Sequence, residues 1–139
     1  MSEPLLSVPI FHLSVPVRDL DEALAFYVEV LGGVAGRREV DWADVGLFGA
    51  QVTLQHAVAD VLEPMPRTRH FGATLGWSEW ERLTRELAGF VEMPCISHVG
   101  TEREQAKAMV ADPSGNLIEI KAYRHTAAVL GSLAGSEMA

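Results

Sequence analysis

The sequence predicts an α+β fold in which two βαβββ modules build a concave mixed sheet. Three observations lead there. Eight short segments read as strands, with clear apolar–polar alternation in those that open the two modules, two longer ones carry helical spacing, and the order strand, helix, three strands runs through the chain twice. The landmarks of the two runs also keep step: His12 lies 20 residues before Gly32, and His70 lies 19 before Gly89. An internal duplication accounts for that spacing.

Residues 7–17 open the first module as a half-buried strand. Phe11, Leu13 and Val15 fall on one side and His12 and Ser14 on the other, while Pro9 and Pro16 stand near the ends, where a missing amide hydrogen is tolerated. Asp19 is the predicted N-cap of a helix, with Glu22 in capping-box spacing. Leu20, Ala23, Leu24, Tyr27, Val30 and Leu31 form its apolar stripe, and Gly32-Gly33 stops it. Strands at about 35–40, 43–48 and 50–57 then follow as a meander.

The second module starts at residues 69–75, with Phe71, Ala73 and Leu75 on one face and His70, Gly72 and Thr74 on the other. Ser78 is the predicted N-cap, Glu81 completes the box, and Trp80, Leu83 and Leu87 supply the helical face up to Gly89. Strands at about 92–98, 105–111 and 116–123 close the module, with Asp112-Pro113-Ser114-Gly115-Asn116 as the last turn. Residues 1–125 thus read as a single domain with modules at about 7–58 and 67–125. Residues 126–139, rich in small side chains, form a tail that is either frayed or a short docked helix.

Composition excludes several function classes. The chain has 139 residues, 48% hydrophobic and 22% charged, as expected of a soluble globular domain. Eleven basic residues stand against 19 acidic ones, a net charge of −8, and no Lys/Arg cluster offers a face for nucleic acid. No apolar run approaches the 18 or so residues of a membrane span. The first residues lack the basic start and apolar stretch of a signal peptide, so a cytoplasmic location is expected. The single cysteine, Cys95, rules out an internal disulfide and a multi-cysteine zinc site; it reads as a small buried apolar residue.

Strand parity points to the chemistry. If the apolar alternates face the helices, His12 and Ser14, His70, Gly72 and Thr74, and Leu117, Glu119, Lys121 and Tyr123 belong to the opposite, concave face. His12, His70 and Glu119 then come from three strands into one cup. Two imidazoles and a carboxylate are the donor set that holds Fe(II) with positions left open, and Mn(II) or Zn(II) also suits it. A competing reading makes the histidines hydrogen-bonded core residues and pairs Glu119 with an arginine or with Lys121. Trp42, Trp77 and Trp80 read as packing.

At these residues the sequence resembles the vicinal oxygen chelate superfamily, which includes glyoxalase I, bleomycin-resistance proteins, fosfomycin-modifying enzymes and extradiol dioxygenases. The stretches that carry the resemblance are Phe-His-Leu-Ser-Val-Pro-Val-Arg-Asp-Leu-Asp-Glu-Ala-Leu-Ala-Phe-Tyr (11–27), His-Phe-Gly-Ala-Thr-Leu (70–75) and Asp-Pro-Ser-Gly-Asn-Leu-Ile-Glu-Ile-Lys (112–121). The nearest look is to small single-domain proteins described as predicted extradiol-type dioxygenases. The resemblance implies a metal held by His12, His70 and Glu119, with Fe(II) or Mn(II) favoured over Zn(II). It implies a dioxygenase-like enzyme whose small substrate chelates the metal through vicinal oxygens.

Two alternatives stay open: a metal-free binding or resistance protein of the bleomycin-resistance type, and a glyoxalase I-like lyase or isomerase. Superposing strand four on strand eight sets Thr53 opposite Glu119, where glyoxalase I-like enzymes carry a carboxylate in this region. Gln51 or Gln55 is left as a weak fourth ligand. The resemblance also implies a homodimer, with the cup formed within one chain or across two. Candidates for second-shell acid–base roles are His98, Tyr123 and His56, whereas His125 reads as tail surface.

Overall fold

A computed structural model describes residues 9–131 of the chain. The chain divides into two compact units at Glu63/Pro64. Each carries one four-stranded mixed sheet with a helix, and the two are built alike. Residues 7 and 8 of the predicted first strand, and 132–139 of the predicted tail, lie outside the described residues. Among those described, no helix is long and apolar enough to cross a membrane.

In the first unit, β1 (His12–Val17) leads to α1 (Leu20–Leu24), a π-helical stretch (Ala25–Val30), β2 (Val34–Arg38), β3 (Trp42–Leu47) and β4 (Ala50–His56). The sheet order is β1-β4-β3-β2, with β1 parallel to β4 and the rest antiparallel. Asp19 caps α1 as predicted, its carboxylate accepting the Glu22 amide at 2.8 Å. The predicted uninterrupted α-helix does not form. The Leu31 amide reaches back five residues to the Phe26 carbonyl at 3.0 Å. That wider turn brings Phe26 and Leu31, five apart, onto the core side with Tyr27, while Val30 of the predicted stripe is only half-buried. The Phe26 and Tyr27 rings meet edge to face at 5.4 Å.

The second unit repeats the plan with β5 (His70–Leu75), α2 (Trp77–Glu86), β6 (Val91–Ser97), β7 (Gln105–Ala111) and β8 (Leu117–Tyr123), in sheet order β5-β8-β7-β6. The α2 N-cap is Gly76, not the predicted Ser78. The Trp80 amide donates to the Gly76 carbonyl at 2.9 Å, so the first turn closes two residues earlier and takes Trp77 into the helix. Trp80 is buried and its indole N–H donates to the Ile120 carbonyl at 3.0 Å, which docks α2 on β8. The side of the sheet under α2 is wholly apolar: Ala106, Ala108, Val110, Ile118, Ile120 and Ala122. Past β8, α3 (Thr126–Leu130) is a single helical turn in the described part of the predicted tail.

Sheet register makes the duplication explicit. Ser14 stands opposite Thr53 in the first unit, and Gly72 stands opposite Glu119 in the second. Each lies two residues beyond a histidine that opens its strand. Both units also carry a bulge at the same place, between Ala35 and Arg38 in β2 and between Glu92 and Cys95 in β6.

Candidate metal pair on the open sheet face

With one side of each sheet committed to its helix, the other carries the polar residues. In the second unit His70 and Glu119 meet there, His70 Nε2 lying 3.9 Å from Glu119 Oε1. Their approach depends on the residue between them. A Cβ on Gly72 would run into the backbone carbonyl of Glu119, so only glycine lets β5 lie this close to β8.

The His70 ring is held from its other side. Nδ1 lies 2.7 Å from the Arg67 carbonyl, and a carbonyl can only accept, so Nδ1 carries the hydrogen. In the neutral form of the ring Nε2 then presents its lone pair to the Glu119 carboxylate, 3.9 Å away. Two acceptors face each other, an arrangement that a cation between them relieves. Bonds of about 2.1 Å to a divalent ion place cis ligand atoms about 3.0–3.4 Å apart. The observed 3.9 Å is within a small side-chain rotation of that, so the donor set fits a metal. Lys121 Nζ also lies 3.9 Å from Glu119 Oε1 and compensates part of its charge. Glu119 is well covered, with 15% of its side chain exposed. Among the described residues of this unit no third His, Cys, Asp or Glu completes a cluster with the pair.

His70 and Glu119 line a pocket of about 440 Å³ together with Arg67, Cys95, Lys107 and Met109. Cys95 is exposed, which corrects the expectation of a buried apolar role. It sits on edge strand β6 opposite Lys107, and its side chain belongs to the open face where no helix covers it.

In the first unit His12 opens β1 opposite Gln51 and is exposed. It occupies the place in its module that His70 occupies in the other. The position matching Glu119 holds Thr53, whose hydroxyl donates to the Asp44 carboxylate at 2.7 Å. Asp44, on the neighbouring strand, is buried and also receives Arg37 through Nε and Nη2, both at 2.8 Å. Gln51 donates its amide to Asp44 at 3.4 Å, so its nitrogen, not its oxygen, faces the carboxylate, and Gln55 is exposed. The Thr53 hydroxyl bond first, then the Arg37 and Gln51 bonds and the Arg37 charge, hold the Asp44 carboxyl below the usual aspartate range, against the opposing effect of burial.

Sequence reasoning missed this acid, though a signal was present. Phe48 and Gly49, both at positive φ, form the two-residue turn between Leu47 and Ala50. Reflection about that turn pairs Asp44 with Thr53.

The secondary candidates separate. Tyr123 ends β8 on the same face as Glu119, with Lys121 Nζ 5.5 Å from its ring centroid. His98 lies exposed beyond β6 at positive φ, its Nδ1 3.3 Å from Ser97 Oγ. His56 is the exposed last residue of β4, and His125 precedes α3. Trp42 stacks beneath Arg37 at 4.9 Å, and Trp77 beneath Arg124 at 3.8 Å.

Comparison with known proteins places these features in context. A family model described as the Glyoxalase/Bleomycin resistance protein/Dioxygenase superfamily matches residues 10–120. A glyoxalase/bleomycin resistance protein/dioxygenase from Alicyclobacillus acidocaldarius is 31% identical, with a TM-score of 0.76 over 84% of this chain and 92% of that one. A virulence protein from Salmonella typhimurium is 25% identical, with a TM-score of 0.57 over 86% and 99% of the two chains. The fosfomycin resistance protein FosX from Listeria monocytogenes shares the fold at 15% identity, with a TM-score of 0.64 over 84% and 94%. No curated protein matches the chain.

Proposed function

Because the chain belongs to the glyoxalase/bleomycin resistance protein/dioxygenase superfamily, we propose that it is a metal-dependent enzyme, dioxygenase-like in chemistry, whose small substrate chelates a divalent ion through vicinal oxygens. The observation that carries the reading is the His70–Glu119 pair, whose Nε2 and Oε1 atoms face each other at 3.9 Å on an open pocket. His12, which holds the equivalent place in its own module, is the proposed third protein ligand, from this chain or from a second copy in a homodimer. Fe(II) or Mn(II) suits a set of two imidazoles and one carboxylate, and Zn(II) is the third choice. When bound, such an ion supplies Lewis acidity and adjacent open positions for the substrate.

The protein's own groups have separable tasks. The Arg67 carbonyl fixes the His70 ring and its tautomer. Glu119 contributes the negative charge, and Lys121 limits its repulsion toward an incoming anion. Tyr123, on the Glu119 face, is the first candidate to hold or move a proton at its phenol oxygen, with His98 behind it. One observation favours a second reading, a metal-free binding protein: Lys121 offsets part of the Glu119 charge without an ion.

Metal analysis of protein purified without chelator or nickel resin separates the two. Near-stoichiometric iron or manganese, lost in His12→Ala, His70→Ala and Glu119→Ala, is the expected result and justifies an anaerobic screen of catechols. Wild-type protein that carries no metal and takes up neither Fe(II), Mn(II) nor Zn(II) overturns the enzyme reading.

A further inference from the structure

The chain contains two lysines, Lys107 and Lys121, and nine arginines serve every other basic position. The two lysines stand directly opposite each other across β7 and β8. Antiparallel partners share a face, and here it is the open one, because Ala106, Ala108, Ile120 and Ala122 around them point to α2. Directly opposed side chains have Cβ atoms about 5 Å apart, and like charges at that spacing destabilise a sheet. Lys121 is shared between Glu119 at 3.9 Å and the Tyr123 ring at 5.5 Å. Lys107 has no ion-pair partner among the described residues, yet it is half-buried and lines the same pocket as His70 and Glu119. Lys121 lines an adjoining pocket that also reaches His70 and Glu119.

We propose that Lys107 and Lys121 form an anion subsite that binds a carboxylate or phosphate group of the substrate beside the His70–Glu119 pair. Its role as a substrate subsite rests on the reading of this pocket as the catalytic one. Lys121 lies two residues beyond Glu119 on β8, about 7 Å along the strand. The ligand class is therefore a small molecule with a chelating head and an anionic group roughly that far from it. An anion between the two ammonium groups replaces their repulsion with two charge-assisted hydrogen bonds.

The test uses benzoate, phenyl phosphate and the neutral isostere benzamide, titrated calorimetrically into full-length protein stripped of metal with EDTA. Benzoate or phenyl phosphate should bind at least about tenfold more tightly than benzamide, with affinity falling as KCl rises. Binding by one of the two anions alone identifies the carboxylate or the phosphate as the group recognised. Lys107→Met, which keeps most of the aliphatic stem, should cost about tenfold in anion affinity, while Lys107→Arg retains it.

Without ligand, Lys107→Met should melt about 1–4 °C higher than wild type, because the opposed charge is gone. A readout that needs no variant comes from reductive methylation with ¹³C-formaldehyde, which preserves the charge. It gives two dimethyl-lysine signals beside that of the α-amine, and both should shift with the anion and not with benzamide. Equal binding of benzamide, or lysine signals that do not move, overturns the subsite. Because metal is absent throughout, that failure leaves the metal reading standing, and failure of metal uptake leaves the anion result standing.

Discussion

Replacing Asp44 by asparagine removes the charge of that carboxylate while keeping its shape, and the cluster around it makes the outcome calculable. The Thr53 hydroxyl can still donate to the amide oxygen, so the 2.7 Å bond survives. The other corner becomes an NH₂ group facing Arg37 Nε and Nη2, both donors at 2.8 Å in the native cluster. Arg37 has 72% of its side chain exposed, so the ion pair is strongly screened and contributes about 1 kcal/mol or less. A covered amide hydrogen without an acceptor adds about 1 kcal/mol, for a total of about 1–2 kcal/mol near neutral pH.

The pH dependence follows from the lowered Asp44 carboxyl, held down first by the Thr53 hydroxyl bond. A folded-state value below the unfolded one gives stability that is complete above the unfolded aspartate value, about 3.9, and lost as pH falls through the folded value. Urea unfolding of wild type and Asp44→Asn, followed by circular dichroism and tryptophan fluorescence, should show a constant difference from pH 7 to pH 5. The difference should shrink below pH 4. A difference that persists unchanged at pH 3, or none at pH 7, refutes the assignment of Asp44 as an ionised partner of Arg37 and Thr53.

Substitutions at two further positions probe how the second unit positions its polar pair. Gly72→Ala forces a Cβ against the Glu119 carbonyl; it should cost about 1–3 kcal/mol in urea melts and weaken Mn(II) uptake even where the protein folds. Asp112, buried, accepts the Ser114 and Asn116 amides at 2.8 Å and the Asn116 side-chain amide at 2.9 Å, in the turn that leads into β8. Asp112→Ala should lower stability by about 2–3 kcal/mol by leaving buried donors unpaired, while Asp112→Asn, which keeps an oxygen for the two backbone amides, should cost clearly less in the same urea melts.

Much of this architecture is readable in the chain itself, because the features concerned are local. Seven of the eight strands fall within two residues of their predicted bounds. By contrast, β1 begins only at His12, and Phe11, predicted to face the helix, lies exposed before it, where no neighbouring strand covers it. Parity alone sent Ile118, Ile120 and Ala122 to the helix and Glu119, Lys121 and Tyr123 to the open face. Capping by Asp19 is equally local, being one side chain and an amide three residues on. Where the prediction failed, a local preference met a competing contact. Ser78 is a good capping residue, but the Trp80 amide closes on Gly76 and Trp77 enters the helix. The helical stripe through Val30 yields to a π turn that takes Phe26 into the core.

Sequence by itself determined the module order, the open faces of β1, β5 and β8 and the histidine and glutamate positions that define the candidate site. Tertiary structure decided which of those residues are neighbours. That His70 reaches Glu119 past a glycine, that Asp44 takes the Thr53 hydroxyl, and that two lysines far apart in the chain oppose each other are all consequences of strand register. Register is set by backbone pairing across the sheet and by turn geometry, and neither is encoded in the residue that it brings into contact.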